Sequence, residues 1–170
     1  MILDKSYFSL PATSLARDLL GKILCRQSEC GIIRARITET ECYYGEEDTA
    51  CHAHKGKTNR TKTMYEEGGI TYVYLCYGMH AMLNVVTGPK DHPEAVLIRG
   101  VEGANGPGKA TKLMKITTAD NGLILAPESR IWIEDDGATV QYTESARIGI
   151  DYASEADKNR PWRYTALHFN

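Results

Sequence analysis

Ile33, Ala35, Ile37, Glu39, Glu41 and Tyr43 recur at every second position, the period that places side chains on one face of a β-strand. A strand is therefore expected over residues 32–43. The aliphatic half of its face should pack into a core, leaving two carboxylates and a ring at the core's edge. Residues 22–27 predict a preceding strand. Before it, Ala12, Leu15, Ala16 and Leu19 form one apolar stripe of a helix over residues 10–20, with Gly21 as its stop. Residues 44–69 are polar, contain glycine and are short of aliphatics, which predicts a long loop. Three apolar, β-rich runs follow at residues 70–77, 81–87 and 95–101. A short helix is expected over residues 109–116, then strands at 130–134 and 147–152. No repeat or linker interrupts the chain, so residues 1–170 read as one α+β domain with a mixed, mostly antiparallel sheet and a few helices.

With 170 residues, 42% of them hydrophobic, the chain can bury a real core. No apolar run approaches a bilayer-spanning length, and the N-terminus lacks a signal-peptide pattern. The five cysteines form an odd set with no C-x-x-C pair, which fits reduced thiols in an intracellular, cytoplasmic setting. The formal net charge of −2 argues against bulk affinity for nucleic acid, so any such site must be a local patch.

Partial burial raises a carboxylate's pKa, which makes Glu39 or Glu41 a candidate general base; the plainer alternative is two solvated side chains at a strand end. Lys55, Lys57, Arg60 and Lys62 cluster without an intervening acid and could neutralise several phosphates. The flanking Glu46, Glu47, Asp48, Glu66 and Glu67 also suit an ordinary solvated loop. In Tyr72-Val73-Tyr74-Leu75-Cys76-Tyr77-Gly78, Tyr72 and Tyr74 share a strand face, Tyr77 takes the other, and Gly78 permits a tight turn. An exposed ring at such a turn can wedge between bases, and a ring facing a pocket can stack on one; packing is the default for any single tyrosine. Cys42, Cys51, His52 and His54 invite a zinc reading, but their spacing matches no ligand pattern, and neither metal nor cofactor is expected. Gly106-Pro107-Gly108-Lys109 could bind a phosphate at a helix start. It also resembles the hairpin of helix-hairpin-helix repair proteins, without the paired flanking helices.

Taken in order, these segments resemble the alkyladenine (3-methyladenine, or methylpurine) DNA glycosylase family. The likeness runs through Ala16-Arg17-Asp18-Leu19-Leu20-Gly21-Lys22, Glu39-Thr40-Glu41-Cys42-Tyr43, Glu47-Asp48, Ala50-Cys51-His52-Ala53 and Gly56-Lys57-Thr58-Asn59-Arg60-Thr61. It continues through Tyr72 to Met79, Asn84-Val85-Val86, Ala95 to Arg99, Gly106 to Lys109, Arg147 to Ile150 and Pro161-Trp162-Arg163-Tyr164. The resemblance implies a fold like the formyltransferase C-terminal domain and hydrolysis of the N-glycosidic bond of a damaged purine in duplex DNA. The target nucleotide must then be flipped out of the stack. By the same match, Glu41 is the catalytic base, Arg99 helps position the attacking water, and Tyr77 intercalates. Tyr43, His52 and Tyr74 enclose the flipped base, and Asn84 matches the residue that excludes guanine's 2-amino group. Lys55, Lys57, Arg60 and Lys109 are the expected backbone contacts. The partner is double-stranded DNA, with no membrane, and a monomer is expected. Glu39 remains the rival base.

Three departures stand out: Cys42 replaces a small alanine, Asn59 stands where proline is usual, and Glu66-Glu67 adds negative charge near the presumed DNA face. A non-catalytic module that binds damaged nucleic acid on the same fold is the alternative. Retention of Glu41 with Arg99 speaks against it. A zinc-stabilised protein is the third class.

Overall fold

A computed structural model describes residues 1–170. Its organising element is β2 (Gly31–Tyr44), the 14-residue strand in which the alternating run lies. The first half of β2 pairs antiparallel with β1 (Ile23–Ser28), which in turn pairs with β7 (Ile131–Glu134). The second half pairs with β5 (Glu94–Val101), and residues Glu39 to Glu41 pair also with β9 (Arg163–Phe169). Beyond β5 lie β4 (His80–Val86) and β3 (Thr71–Cys76). The two-residue β6 (Ala104–Asn105) and edge strand β8 (Val140–Ser145) complete a nine-stranded sheet in which every paired strand is antiparallel.

The sheet's two faces have different fates, and parity assigns residues to them. Cys42, Val73, Leu83, Val85, Val96 and Ile98 join a 25-residue core cluster. Helices α2 (Ala12–Asp18) and α3 (Pro107–Leu113) supply Leu15, Ala16 and Ala110 to the same cluster. Alternate residues on the same strands, Tyr72, Val86 and Ala95, belong to a separate seven-residue cluster beneath the segment that follows β2. Buried on both faces, β5 reads as a nearly continuous apolar run. Arg99 is its interruption and is only partly buried. Two short helices, α1 (Lys5–Phe8) and α4 (Glu155–Lys158), lie near the ends of the chain.

The expected helix over residues 10–20 forms between Ala12 and Asp18, and the expected strands at 22–27, 32–43, 70–77, 81–87 and 95–101 form with small shifts at their ends. The 44–69 segment is less loop-like than its composition suggests. It contains two 3₁₀ turns, His52–Lys55 and Lys62–Tyr65, and is tied down by the Tyr65 hydroxyl donating to Glu46 at 2.6 Å. The strand expected at 147–152 does not exist. Gly149 has φ +73°, and the Ile148 N–H donates to the Glu41 carboxylate instead of to a ladder. The apolar alternation there reflects a segment folded over the site, with no strand partner.

Candidate active site

The face opposite the main core opens into a cavity of about 600 Å3. Its walls come from every strand of the sheet's site end: Tyr43 of β2, Tyr72 and Tyr74 of β3, Met82 and Asn84 of β4, and Leu97 and Arg99 of β5. His52 and Arg60 close one side from the 44–69 segment, and residues 148–150 with Tyr152 close another.

Glu41 lies behind this wall with no exposed surface, a correction to its expected place at the core's edge. Three of the groups that line the cavity cover it. The Tyr43 hydroxyl donates to one carboxylate oxygen at 2.7 Å, and the Ile148 N–H donates to the other at 2.8 Å. Arg99 Nε stands 3.6 Å from that second oxygen. Burial pushes the Glu41 carboxyl above its ordinary pKa; Arg99, the Ile148 N–H, the Tyr43 hydroxyl and Arg147 oppose the shift. A carboxylate in a dry setting, its pKa raised by burial and its charge supported by donors, is suited to take up a proton.

The Ile148 donor is held in place by its neighbour. Arg147 is fully buried and grips Asp48 through both terminal nitrogens, at 2.6 and 2.9 Å. It also donates to the carbonyls of Cys42 and Asp157 and stacks under the rings of Tyr43 and Trp162, with guanidinium-to-centroid distances of 5.0 and 5.1 Å. Such a bidentate pair is rigid, and removing one member leaves a buried charge. No residue-by-residue reading of the sequence singled out Arg147, Asp48 or the Ile148 N–H. The available signal was the family likeness, which runs through Glu47-Asp48 and Arg147 to Ile150 without assigning these residues a role.

His52, Tyr72 and Tyr74 form an aromatic nest. The His52 and Tyr74 rings lie 4.5 Å apart and the Tyr72 and Tyr74 rings 5.4 Å apart, while His52 Nδ1 sits 3.2 Å from the Tyr72 hydroxyl. Burial, then the positive charge of Arg60, lowers the His52 pKa to about 4, so the ring is neutral at neutral pH. The His52 N–H opens a 3₁₀ turn and makes no hydrogen bond within the chain. Asn84 is buried on the cavity floor, its amide donating to the Tyr72 carbonyl at 3.2 Å. Tyr77 occupies the tip of the β3–β4 hairpin, where it is 92% exposed and lines the cavity mouth. Its φ is +52° and that of Gly78 +69°, the pattern of a type I′ hairpin turn. A bulky residue pays for left-handed backbone, and such strain gathers at functional positions.

Among the expected phosphate contacts, Arg60 lines the cavity with its guanidinium 5.2 Å from the Tyr74 centroid. Lys55 and Lys109 are exposed and make no ion pair, whereas Lys57 stands 4.0 Å from Asp91. Glu39, the rival base, bonds Arg99 and Arg163 and, like Glu41, is not itself in the cavity wall. Cys42, Cys51, His52 and His54 are not gathered into any group of three that could hold a metal. Cys42 points into the main core, as its parity requires.

Comparison with known proteins identifies the family. The family model described as Methylpurine-DNA glycosylase (MPG) matches residues 6–104 and 101–168. A Psychrobacter cryohalolentis protein named "Putative 3-methyladenine DNA glycosylase" is 43% identical over 91% of this chain and 87% of its own length. Proteins of the same name from Methanocella arvoryzae and Bdellovibrio bacteriovorus are 42% and 44% identical, covering 96% and 93% of this chain and 91% and 92% of their own. With nearly the whole chain matched, the chain belongs to the methylpurine-DNA glycosylase family.

Proposed function

We propose that this protein is a monofunctional DNA glycosylase. It hydrolyses the N-glycosidic bond of alkylated or deaminated purines (3-methyladenine, 7-methylguanine, hypoxanthine, ethenoadenine) in double-stranded DNA and so initiates base excision repair. One observation carries the reading: a buried carboxylate, Glu41, braced by Arg99, Tyr43 and the Ile148 N–H at the back of an aromatic cavity.

The target atom is inaccessible in a stacked duplex, so the nucleotide swings into the cavity at a cost of a few kcal/mol. Tyr77 on the hairpin tip fills the gap left in the stack. Inside, the base lies among Tyr43, His52 and Tyr74, whose electron-rich faces favour a cationic alkylpurine. The unpartnered His52 N–H donates to an acceptor at the purine 6-position; adenine's amino group would set donor against donor. Glu41 keeps lone pairs beyond the two its donors occupy, and one of these takes a proton from a water. The water oxygen bonds to C1′ as the C1′–N bond breaks, and the bonding electron pair leaves with the base. Negative charge at Glu41 favours the developing oxocarbenium ion, as in glycoside hydrolysis. No lysine lines the cavity, so water rather than an amine is the nucleophile, without strand cleavage. One flipped nucleotide needs one pocket, which a monomer supplies.

Single-turnover base release from methylated duplex and from a hypoxanthine-containing duplex tests the reading, with wild type set against Glu41→Gln. Release by wild type, reduced at least ~100-fold in the variant with DNA binding intact, is expected for loss of a general base. No release by wild type from either substrate, with tight binding retained, would make the protein a non-catalytic reader of damaged DNA.

A further inference from the structure

Arg99 is shared between two carboxylates, and the nearer one is not the proposed base. Its Nε donates to Glu39 Oε1 at 3.1 Å and stands 3.6 Å from Glu41 Oε1. That Glu39 oxygen also receives Arg163 Nη1 at 3.1 Å, across the β2–β9 pairing. The Glu39 and Arg99 side chains are 17% and 14% exposed, so the contact is largely screened from water. The bond through Nε is the only hydrogen bond the Arg99 side chain makes in the chain. Its two terminal nitrogens therefore have no protein partner, on a side chain that lines the cavity.

The backbone is shaped for this contact. The β2–β5 register shifts on either side of Glu39, so that Glu39 pairs with Gly100 while Thr40 pairs with Ile98. A Cβ on Gly100 would come within 2.9 Å of Thr38 Oγ1 and 3.3 Å of the Glu39 Cβ. Glycine lets β5 approach β2 at the irregularity, which brings Glu39 against Arg99.

We infer that Glu39 is a positioning residue: it holds Arg99 by Nε, so that the two-nitrogen edge faces the cavity and the guanidinium does not close onto Glu41. The inference rests on the glycosylase reading and assigns Glu39 a part in it other than that of base. An arginine offers donors in a fixed fork. Anchoring one edge directs the other toward the water or the sugar oxygens of a flipped nucleotide. The second carboxylate also keeps Arg99 from neutralising Glu41 fully, which preserves its basicity and its negative charge beneath C1′. The other titratable or charged groups around Glu41 are Tyr43 on its own strand, and Arg147 and Tyr152 in the segment after β8; none of them is hydrogen-bonded to the Glu39 side chain.

The test compares wild type, Glu39→Ala and Glu39→Gln in single-turnover excision of hypoxanthine from duplex DNA across pH, with duplex Kd measured alongside. Glu39→Ala removes the anchor and should slow excision ~10–100-fold, the scale of a small misplacement of a catalytic group. Duplex Kd should stay within about twofold, since an anchor for the chemical step leaves DNA contacts intact. Its acid limb should move to lower pH, because an Arg99 free to swing onto Glu41 favours the charged form. Glu39→Gln keeps an acceptor of the same shape and should recover most of the rate, while its acid limb still moves down for want of the second negative charge. An unmoved acid limb in both variants, or a loss seen in Kd and not in the rate constant, would overturn the inference while leaving the glycosylase reading intact. An inert wild type would overturn both.

Discussion

At the scale of single residues, the site is built on a conflict between burial and charge. Glu41 has no exposed surface, and its pKa is raised mainly by desolvation, with Arg99 as the largest opposing cause. A carboxyl whose folded pKa lies above its unfolded value is penalised when ionised. Below the unfolded pKa the penalty is absent, and it grows as pH rises through the folded value. Glu41→Gln should therefore melt at a higher temperature than wild type at pH 7. The gain should vanish below the ordinary carboxylate range, where the native side chain is protonated in both states. Thermal melts at pH 7 and near pH 3 check this. A variant less stable at both would mean that the bonds from Tyr43 and Ile148 outweigh desolvation. Stability surrendered for function is expected at such a position. The Arg147–Asp48 pair differs in kind, since each charge there has an ideal bidentate partner. Its place is to hold the chain that presents the Ile148 N–H.

Among the elements, the β3–β4 hairpin shows the same trade at the backbone level. Tyr77 adopts φ +52° and projects into solvent beside Met79, itself 72% exposed. Neither choice favours folding. Tyr77→Gly removes the left-handed cost, of order 1–2 kcal/mol for a non-glycine residue, offset in part by glycine's greater freedom when unfolded. The variant should match or exceed wild type in denaturant unfolding yet bind lesion-containing duplex more weakly, as loss of a wedge requires. Unchanged lesion affinity would remove Tyr77 from the binding face. The helix α2 illustrates a remote contact inside one element. Pro11 gives it no side-chain cap, and Glu94, from the start of β5, accepts from the Ala12 N–H at 2.8 Å instead. A carboxylate there satisfies an orphan donor and complements the helix dipole.

For the whole molecule, the formal charge of −2 and a DNA substrate are compatible only if acids and bases are unevenly placed. Many acids are paired internally: Asp120 with Arg26, Asp135 with Lys22, Asp136 with Arg36 and Asp48 with Arg147. Lys55, Arg60, Lys62 and Lys109 take no part in such pairs and are exposed. Duplex affinity should accordingly fall steeply with salt despite the net negative charge. Because each neutralised phosphate contributes about 0.9 to the log–log slope, Lys55→Ala and Lys109→Ala should each flatten it by about one. A slope indifferent to both substitutions would place the DNA elsewhere on the surface.

Most of the sheet was legible in the chain because it obeys local rules. The period of two in β2, the apolar run of β5 and the glycine at the β3–β4 turn act over a few residues, and all three formed where expected. Position 41 as a carboxylate beside a ring was legible for the same reason. The closing segment at 147–152 was misread because its alternation is satisfied by contacts more than ninety residues away, to Glu41 and Asp48. The burial of Glu41, the sharing of Arg99 between two carboxylates and the hold of Arg147 on Asp48 are likewise long-range. They depend on β5, β9 and the segment after β8 converging on three residues of β2. Periodicity sets which face a side chain takes. Only the packing of distant strands sets how dry that face is and which charges meet there, and those two quantities decide whether a carboxylate can serve as a base.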